Sequence, residues 1–144
     1  MTPDREPTTP PDAVEHRLRV RYAETDRMGV VYYANYLVWF EVARAEFCRQ
    51  RGCRYADIER DTGSILVVTE ARCRYRRPAR YDDAIRLRCW VRDLRSRRLT
   101  FVYEILDDAS GALLAEGETV HHVVDPEGRP KSLPRHLVER LAGR

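Results

Sequence analysis

Two carboxylates, Glu24 and Asp26, stand just ahead of a stretch that opens apolar, Val30-Val31-Tyr32-Tyr33-Ala34-Asn35-Tyr36. The start of a helix there offers unpaired backbone N–H groups and the positive end of its dipole. Gly29 lets the intervening backbone approach closely or adopt a positive φ. An acyl oxygen held by such N–H groups is polarised, and is stabilised further as it becomes an oxyanion. A neighbouring carboxylate can attack the acyl carbon or activate a water to do so. These are the two components that acyl transfer from a thioester needs. Asp and Thr before a helix are also common caps, and glycine is common in turns. The same residues therefore carry a purely structural reading as well.

The elements that position this stretch are legible as two periods. From Glu15 to Tyr22 the chain alternates, with Leu18, Val20 and Tyr22 on one face and Arg17, Arg19 and Arg21 on the other, as a half-buried strand does. The period then changes. Tyr33, Tyr36, Leu37, Phe40, Ala43 and Phe47 recur at spacings of three and four, which predicts a helix ending near Gly52. Val38, Trp39 and Val42 lie outside that stripe, so the front half of the helix is apolar nearly all round and is expected to be buried. A short helical turn is expected near Tyr55 to Arg60. Strands follow at Ile65 to Arg76, from Ile85 to Arg92, at Leu99 to Ile105 and at Leu113 to Val124, with a short helix after Pro134. Strand, buried helix, then four strands joined by turns indicates α+β with an antiparallel sheet.

Composition bounds the rest. The chain has 144 residues, 43% hydrophobic and 34% charged, with a formal net charge of +3. That suits one soluble domain with a single core. The segment 1–13 is Pro/Thr/Asp-rich without an apolar core, so it reads as a disordered tail and not a signal peptide, leaving 14–144 as the folded domain. No stretch is long and apolar enough to span a membrane. Cys48, Cys53, Cys73 and Cys89 form no CxxC pair, which argues against zinc and defines no disulfide framework. They read as reduced thiols in a cytoplasmic protein.

Tyr22-Ala23-Glu24-Thr25-Asp26-Arg27-Met28-Gly29-Val30-Val31-Tyr32-Tyr33-Ala34-Asn35-Tyr36, followed by Phe40-Glu41-Val42-Ala43-Arg44, resembles the signature of the 4-hydroxybenzoyl-CoA thioesterase family. It is most similar to the YbgC-like acyl-CoA thioesterases in that family. Tyr75-Arg76-Arg77-Pro78-Ala79-Arg80-Tyr81-Asp82-Asp83 resembles a second recurring segment, and the likeness extends over Glu15 to Leu141. It implies a hotdog fold, with the sheet wrapped around the long helix and paired with a second subunit as a homodimer or homotetramer. It implies hydrolysis of an acyl-CoA, or of an acyl group on acyl carrier protein, with no metal and no cofactor beyond the coenzyme A of the substrate.

The family's essential carboxylate falls on Asp26, as nucleophile or as general base. The backbone N–H that polarises the thioester falls on Tyr33, and Gly29 matches the turn glycine. Glu24 stands where Asp is frequent, and Tyr33 where the YbgC-like branch often has histidine. Tyr32 and Tyr36 would face the acyl group, although these aromatics, with Tyr33 and Trp39, fit a core equally well. The family's contacts to the nucleotide phosphates match Arg97 and Arg98, with Thr100 behind them; forked guanidiniums suit such groups. The other reading of that cluster is a solvated hairpin.

His121 and His122 fall on opposite faces of a strand and cannot act as a pair. The alternating arginines Arg72, Arg74 and Arg76, with Arg77 and Arg80, fit the outer face of a sheet better than a nucleic-acid strip, since the aromatics face elsewhere. A non-catalytic hotdog module that binds acyl carrier protein or acyl-CoA is the rival reading. The intact acid at Asp26 weighs against it. A hydratase on the same fold would need an Asp/His pair that the helix-entry segment lacks.

Overall fold

The strictly alternating runs of the second half become the centre of the sheet. Strand β3 (Ala84–Arg92) turns inward Ile85, Leu87 and Cys89, and β4 (Arg98–Asp107) turns inward Leu99, Phe101, Tyr103 and Ile105, all fully buried. Their register sets Leu87 against Ile105 and Cys89 against Tyr103, so one face of the sheet is continuously apolar. The structure, a computed structural model, describes residues 6–144. Two further strands, β1 (Val14–Arg19) and β2 (Ile65–Tyr75), and the last strand, β5 (Leu113–Val124), complete an antiparallel sheet in the order β1-β3-β4-β5-β2. The helices are α1 (Asn35–Gln50), α2 (Tyr55–Thr62) and α3 (Arg135–Leu141). The architecture is α+β, as the order of elements indicates.

Helix α1 lies across the apolar face and buries Tyr36, Trp39, Phe40, Ala43, Phe47 and Cys48. Burial of a side chain such as Phe40 or Phe47 contributes about 1.5–3 kcal/mol by transfer from water. Phe40 stacks on Tyr103 with ring centres 4.2 Å apart and planes 4° apart, and Phe47 meets Phe101 edge-on at 5.7 Å. Gly117 of β5 sits opposite Tyr103, where a Cβ would stand 2.7 Å from the Phe40 ring and still nearer the Arg72 carbonyl. Glycine in mid-strand here marks a close approach of helix to sheet.

The helix departs from its expected face in one respect. Trp39 points into the core, while Leu37 and Val38 are 41% and 47% exposed. Tyr36, Phe40, Ala43 and Phe47 set the face, and at 100° per residue Trp39 falls beside them while Leu37 and Val38 fall away. The first strand also stops earlier than its alternation suggests. It ends at Arg19, and Tyr22 begins a single 3-10 turn to Glu24 with its ring 77% exposed.

On the outer face arginine and carboxylate alternate between strands. Arg86 reaches Asp108 at 3.0 Å, Arg88 reaches Glu15 at 2.9 Å, Arg76 reaches Glu116 at 3.2 Å, and Arg92 pairs with Glu118. Of the segment 1–13 expected as a disordered tail, residues 1–5 lie outside the described residues. Within 6–13 there is no regular element, but the Thr8 N–H donates to Glu104 at 2.9 Å and the Thr9 hydroxyl at 2.6 Å.

A buried polar chain runs beneath α1. Arg44 donates to the Tyr103 hydroxyl at 3.4 Å, that hydroxyl lies 2.6 Å from Thr119 Oγ1, and Thr119 Oγ1 lies 2.8 Å from His121 Nε2. Burial, then the Arg44 charge, pushes the His121 pKa down to about 4.

Two outcomes follow from this core. Gly117→Ala is expected to destabilise the fold by about 1–3 kcal/mol, because the Arg72 carbonyl and the Phe40 ring must both give way; urea unfolding against wild type measures it. His121 stays neutral in the folded protein, while the unfolded chain takes up its proton below about pH 6.5. Stability is therefore intact above that pH and falls as the pH drops toward 4, by about 3 kcal/mol from this one group. Urea midpoints at pH 7 and pH 4 should show that loss, and the His121→Asn variant should show a shallower pH dependence.

Candidate active site

The segment between β1 and α1 is shaped by what its buried members need. Val20 leaves β1 and is clamped to the β2–β3 connection, its N–H donating to the Asp83 carbonyl and its own carbonyl accepting from the Asp82 N–H, both at 2.9 Å. The 3-10 turn then swings Glu24 inward, where it is only 5% exposed. The Glu24 carboxylate accepts from the Trp39 indole N–H at 2.7 Å and from the Arg21 backbone N–H at 2.8 Å. Its backbone carbonyl accepts from the Tyr32 N–H at 2.9 Å and from the Asn35 side-chain amide at 2.8 Å. A buried indole N–H requires an acceptor, and Glu24 supplies it while tying both ends of the segment together.

Between those ties the chain makes a tight loop. The Asp26 N–H donates to the Val30 carbonyl at 2.8 Å and the Gly29 N–H to the Asp26 carbonyl at 3.0 Å. Gly29 takes φ 78°, a left-handed conformation that strongly favours glycine. Isolated bridges Thr25–Val31 and Val30–Arg80 hold the loop against the β2–β3 connection. The Asp26 carboxylate accepts from the Met28 N–H through Oδ1 at 2.8 Å; its Oδ2 has no hydrogen bond among the described residues. Asp26 does not cap α1. The N-cap of that helix is Ala34, whose side chain bonds nothing.

Tyr33 precedes the N-cap. Its carbonyl accepts from the Tyr36 N–H at 3.3 Å and from the Tyr75 hydroxyl at 2.9 Å, which fixes the orientation of the peptide. Its N–H has no acceptor among the described residues. The rings of Tyr32 and Tyr33 lie 4.7 Å apart on the surface, and the Tyr33 hydroxyl beside it raises the pKa of Tyr32. Tyr36 instead lies in the core, edge-on to Trp39 at 4.9 Å and to Tyr75 at 5.1 Å, with its pKa pushed up to about 12 by burial.

The structure thus gathers Asp26, Gly29, Tyr32 and Tyr33 at one end of the sheet, with Tyr36 beneath them. Arg97, Arg98 and Thr100 lie at the other end. Strand β3 leaves the loop at Ala84 and reaches the β3–β4 turn after Arg92, a run of about 27 Å at ~3.4 Å per residue. Arg97 donates to the Ser132 hydroxyl at 3.1 Å, Arg98 is exposed opposite His122, and Thr100 is buried between Arg92 and Val120. In the sequence Glu24 is a second acid ahead of the helix; in the structure it is the brace to Trp39. The available signal was a tryptophan on a helical face that also carries Tyr36, Phe40 and Ala43.

This fold is that of the hotdog thioesterases. The profile of the thioesterase-like superfamily matches residues 20–141, and the chain belongs to that family. It is 36% identical over 110 residues to the putative acyl-CoA thioesterase YneP of Bacillus subtilis, covering 76% of this chain and 78% of that protein. It is 33% identical over 122 residues to the acyl-CoA thioester hydrolase YbgC of Escherichia coli O157:H7, covering 84% and 90%. Among solved structures, the DHNA-CoA thioesterase of Staphylococcus aureus superposes with a TM-score of 0.85 at 32% identity, covering 91% of this chain and 89% of that one. A protein from Aquifex aeolicus superposes at 0.82 with 34% identity, covering 89% and 98%. The resemblance in the sequence, and the hotdog fold it implies, are borne out.

The brace has a measurable worth. Glu24→Ala leaves the Trp39 indole N–H buried without an acceptor and is expected to cost about 2–3 kcal/mol. Glu24→Gln keeps an acceptor for that N–H and should recover part of the loss; thermal melts of the two variants beside wild type test the ordering.

Proposed function

We propose that this chain hydrolyses an acyl-CoA thioester to the free acid and coenzyme A, with the Asp26 carboxylate driving the attack. The observation that carries this reading is the pairing of Asp26, which keeps one carboxylate oxygen uncommitted, with the unpaired Tyr33 N–H at the start of α1. A thioester carbonyl accepting from that N–H is polarised, and its oxygen is stabilised as it gains negative charge. Asp26 either adds to the acyl carbon or takes a proton from a water that adds. The C–S bond then breaks and coenzyme A leaves as the thiolate; where water added, the free acid is formed directly, and where Asp26 added, water then cleaves the Asp26 acyl anhydride to release the acid and restore the carboxylate. Gly29 serves by letting the loop turn back so that both groups approach one thioester carbonyl, the N–H its oxygen and the carboxylate its carbon.

Tyr32 lies at the mouth of this site, and Tyr36 helps form its floor. Arg97 and Arg98 would meet phosphates of the nucleotide, with Thr100 supporting the strand that carries them. Their distance from Asp26 along one chain favours a site completed by a second copy. The long β2 edge, unpaired among the described residues, and the exposed Leu37 and Val38 offer a face for that copy. No helix among the described residues is long and apolar enough to cross a membrane.

The deciding measurement is thiol release from a panel of acyl-CoAs by wild type and Asp26→Asn. Asp26→Asn should turn over at least about 100-fold more slowly with an unchanged melting temperature. Full activity in that variant would remove Asp26 from the mechanism. Inactivity of wild type toward every acyl-CoA, with turnover of acylated carrier protein, would change the carrier and keep the chemistry.

A further inference from the structure

Helix α1 ends in a two-bond lock that brings two thiols together. Gly52 adopts φ 74°, its N–H donates to the Arg49 carbonyl at 3.1 Å, and the Cys53 N–H donates to the Cys48 carbonyl at 2.8 Å. This is the Schellman arrangement, in which the residue after the glycine touches the residue five positions earlier, usually through an apolar pair. Here both positions are cysteine and both are buried, so the lock sets two thiols side by side. With standard backbone bond lengths, the Cys53–Cys48 bond caps their Cα separation at about 6.7 Å. Disulfides span Cα separations of about 4.4–6.8 Å.

The two sulfurs are not equivalent. Both belong to the core, but Cys53 also lines a cavity of about 200 Å³ together with Asp57, Arg60, Asp61, His136 and Arg140, and Cys48 does not. Arg140 is held at the rim by a 2.8 Å bond from its guanidinium to the Gly52 carbonyl. Burial disfavours both thiolates, while the guanidiniums of Arg140 and Arg51 act in favour of the thiolate at Cys53. The pair sits at the far end of α1 from Tyr33, with Cys48 roughly 22 Å away at 1.5 Å per residue, so it is no part of the proposed hydrolytic site.

We infer that Cys53 is a peroxide-oxidisable thiol and Cys48 its resolving partner, closing an intramolecular disulfide across the end of α1. The Cys53 thiolate attacks one oxygen of hydrogen peroxide, the O–O bond breaks, and hydroxide leaves and is protonated to water. Sulfur is oxidised by two electrons to the sulfenic acid as the peroxide is reduced. Cys48 then attacks that sulfur, the S–O bond breaks, and the Cys48 proton leaves with the hydroxide as a second water. A dithiol such as dithiothreitol reverses the change by exchange.

The test uses the full chain, reduced, exposed to hydrogen peroxide, alkylated, and digested with trypsin. Cleavage after Arg49 and Arg51 separates the two cysteines, so their peptides stay joined only through sulfur. The expected result is an intact mass lower by two hydrogens, a Cys48–Cys53 linked peptide lost on dithiothreitol treatment, and alkylated Cys73 and Cys89. In Cys48→Ser, Cys53 should be trapped by dimedone. Four alkylated cysteines after peroxide, a link between any other pair, or wild-type Cys53 recovered as sulfinic acid would each overturn the proposal. The wild-type peptide map decides the matter even if Cys48→Ser fails to fold.

Discussion

A carboxylate withdrawn from water must recover its lost hydration from hydrogen bonds, and Glu24 recovers it from the Trp39 indole and the Arg21 amide. That exchange joins three parts of the chain that are otherwise independent: the end of β1, the loop around Asp26 and the buried face of α1. Charge-assisted bonds of this kind are about twice as strong as neutral ones. Because the Glu24 carbonyl also holds the Tyr32 N–H and the Asn35 amide, the loop has little freedom to slide along the helix. Asp26 and the Tyr33 amide are therefore placed by a residue that need not touch substrate. In the proposed reaction, donors held in place beforehand would cost no rearrangement as charge develops.

The position of α1 over the sheet is set at the other end of the same argument. Stacking of Phe40 on Tyr103 at 4.2 Å leaves no room for a side chain at position 117, and the glycine there lets the helix settle closely onto β4 and β5. With the helix fixed, the loop ahead of it meets the β2–β3 connection, where Ala79 and Arg80 pair with Val31 and Val30. The site is thus a product of helix depth as much as of loop sequence.

Much of this was legible in the chain. The alternation of β3, β4 and β5 and the three-and-four spacing of Tyr36, Phe40, Ala43 and Phe47 follow directly from which faces must be dry. The helix-entry motif drew attention to Asp26, Gly29 and Tyr33 together. Other features depend on partners distant in sequence, which periodicity cannot supply. Tyr22 continues the β1 alternation on paper, yet the clamp of Val20 to Asp82 and Asp83 ends the strand before it. Glu24 looked like a second reactive acid because its buried partner lies fifteen residues on. The span between Asp26 and Arg97 is a property of strand direction, visible only once β3 is seen to run away from the loop.

The strand order has a consequence for how the chain reaches this state. Strands β3, β4 and β5 are consecutive neighbours and close through short turns, so their pairing carries a small loop-closure cost. Strand β1 pairs with β3 only after α1, α2 and β2 have been looped out between them, and β2 crosses to the far edge beside β5. Such non-local pairings slow folding at a given stability. The meander is the part of the sheet that can form from local contacts, whereas the loop bearing Asp26, anchored to β1 on one side and α1 on the other, depends on pairings between segments distant in sequence.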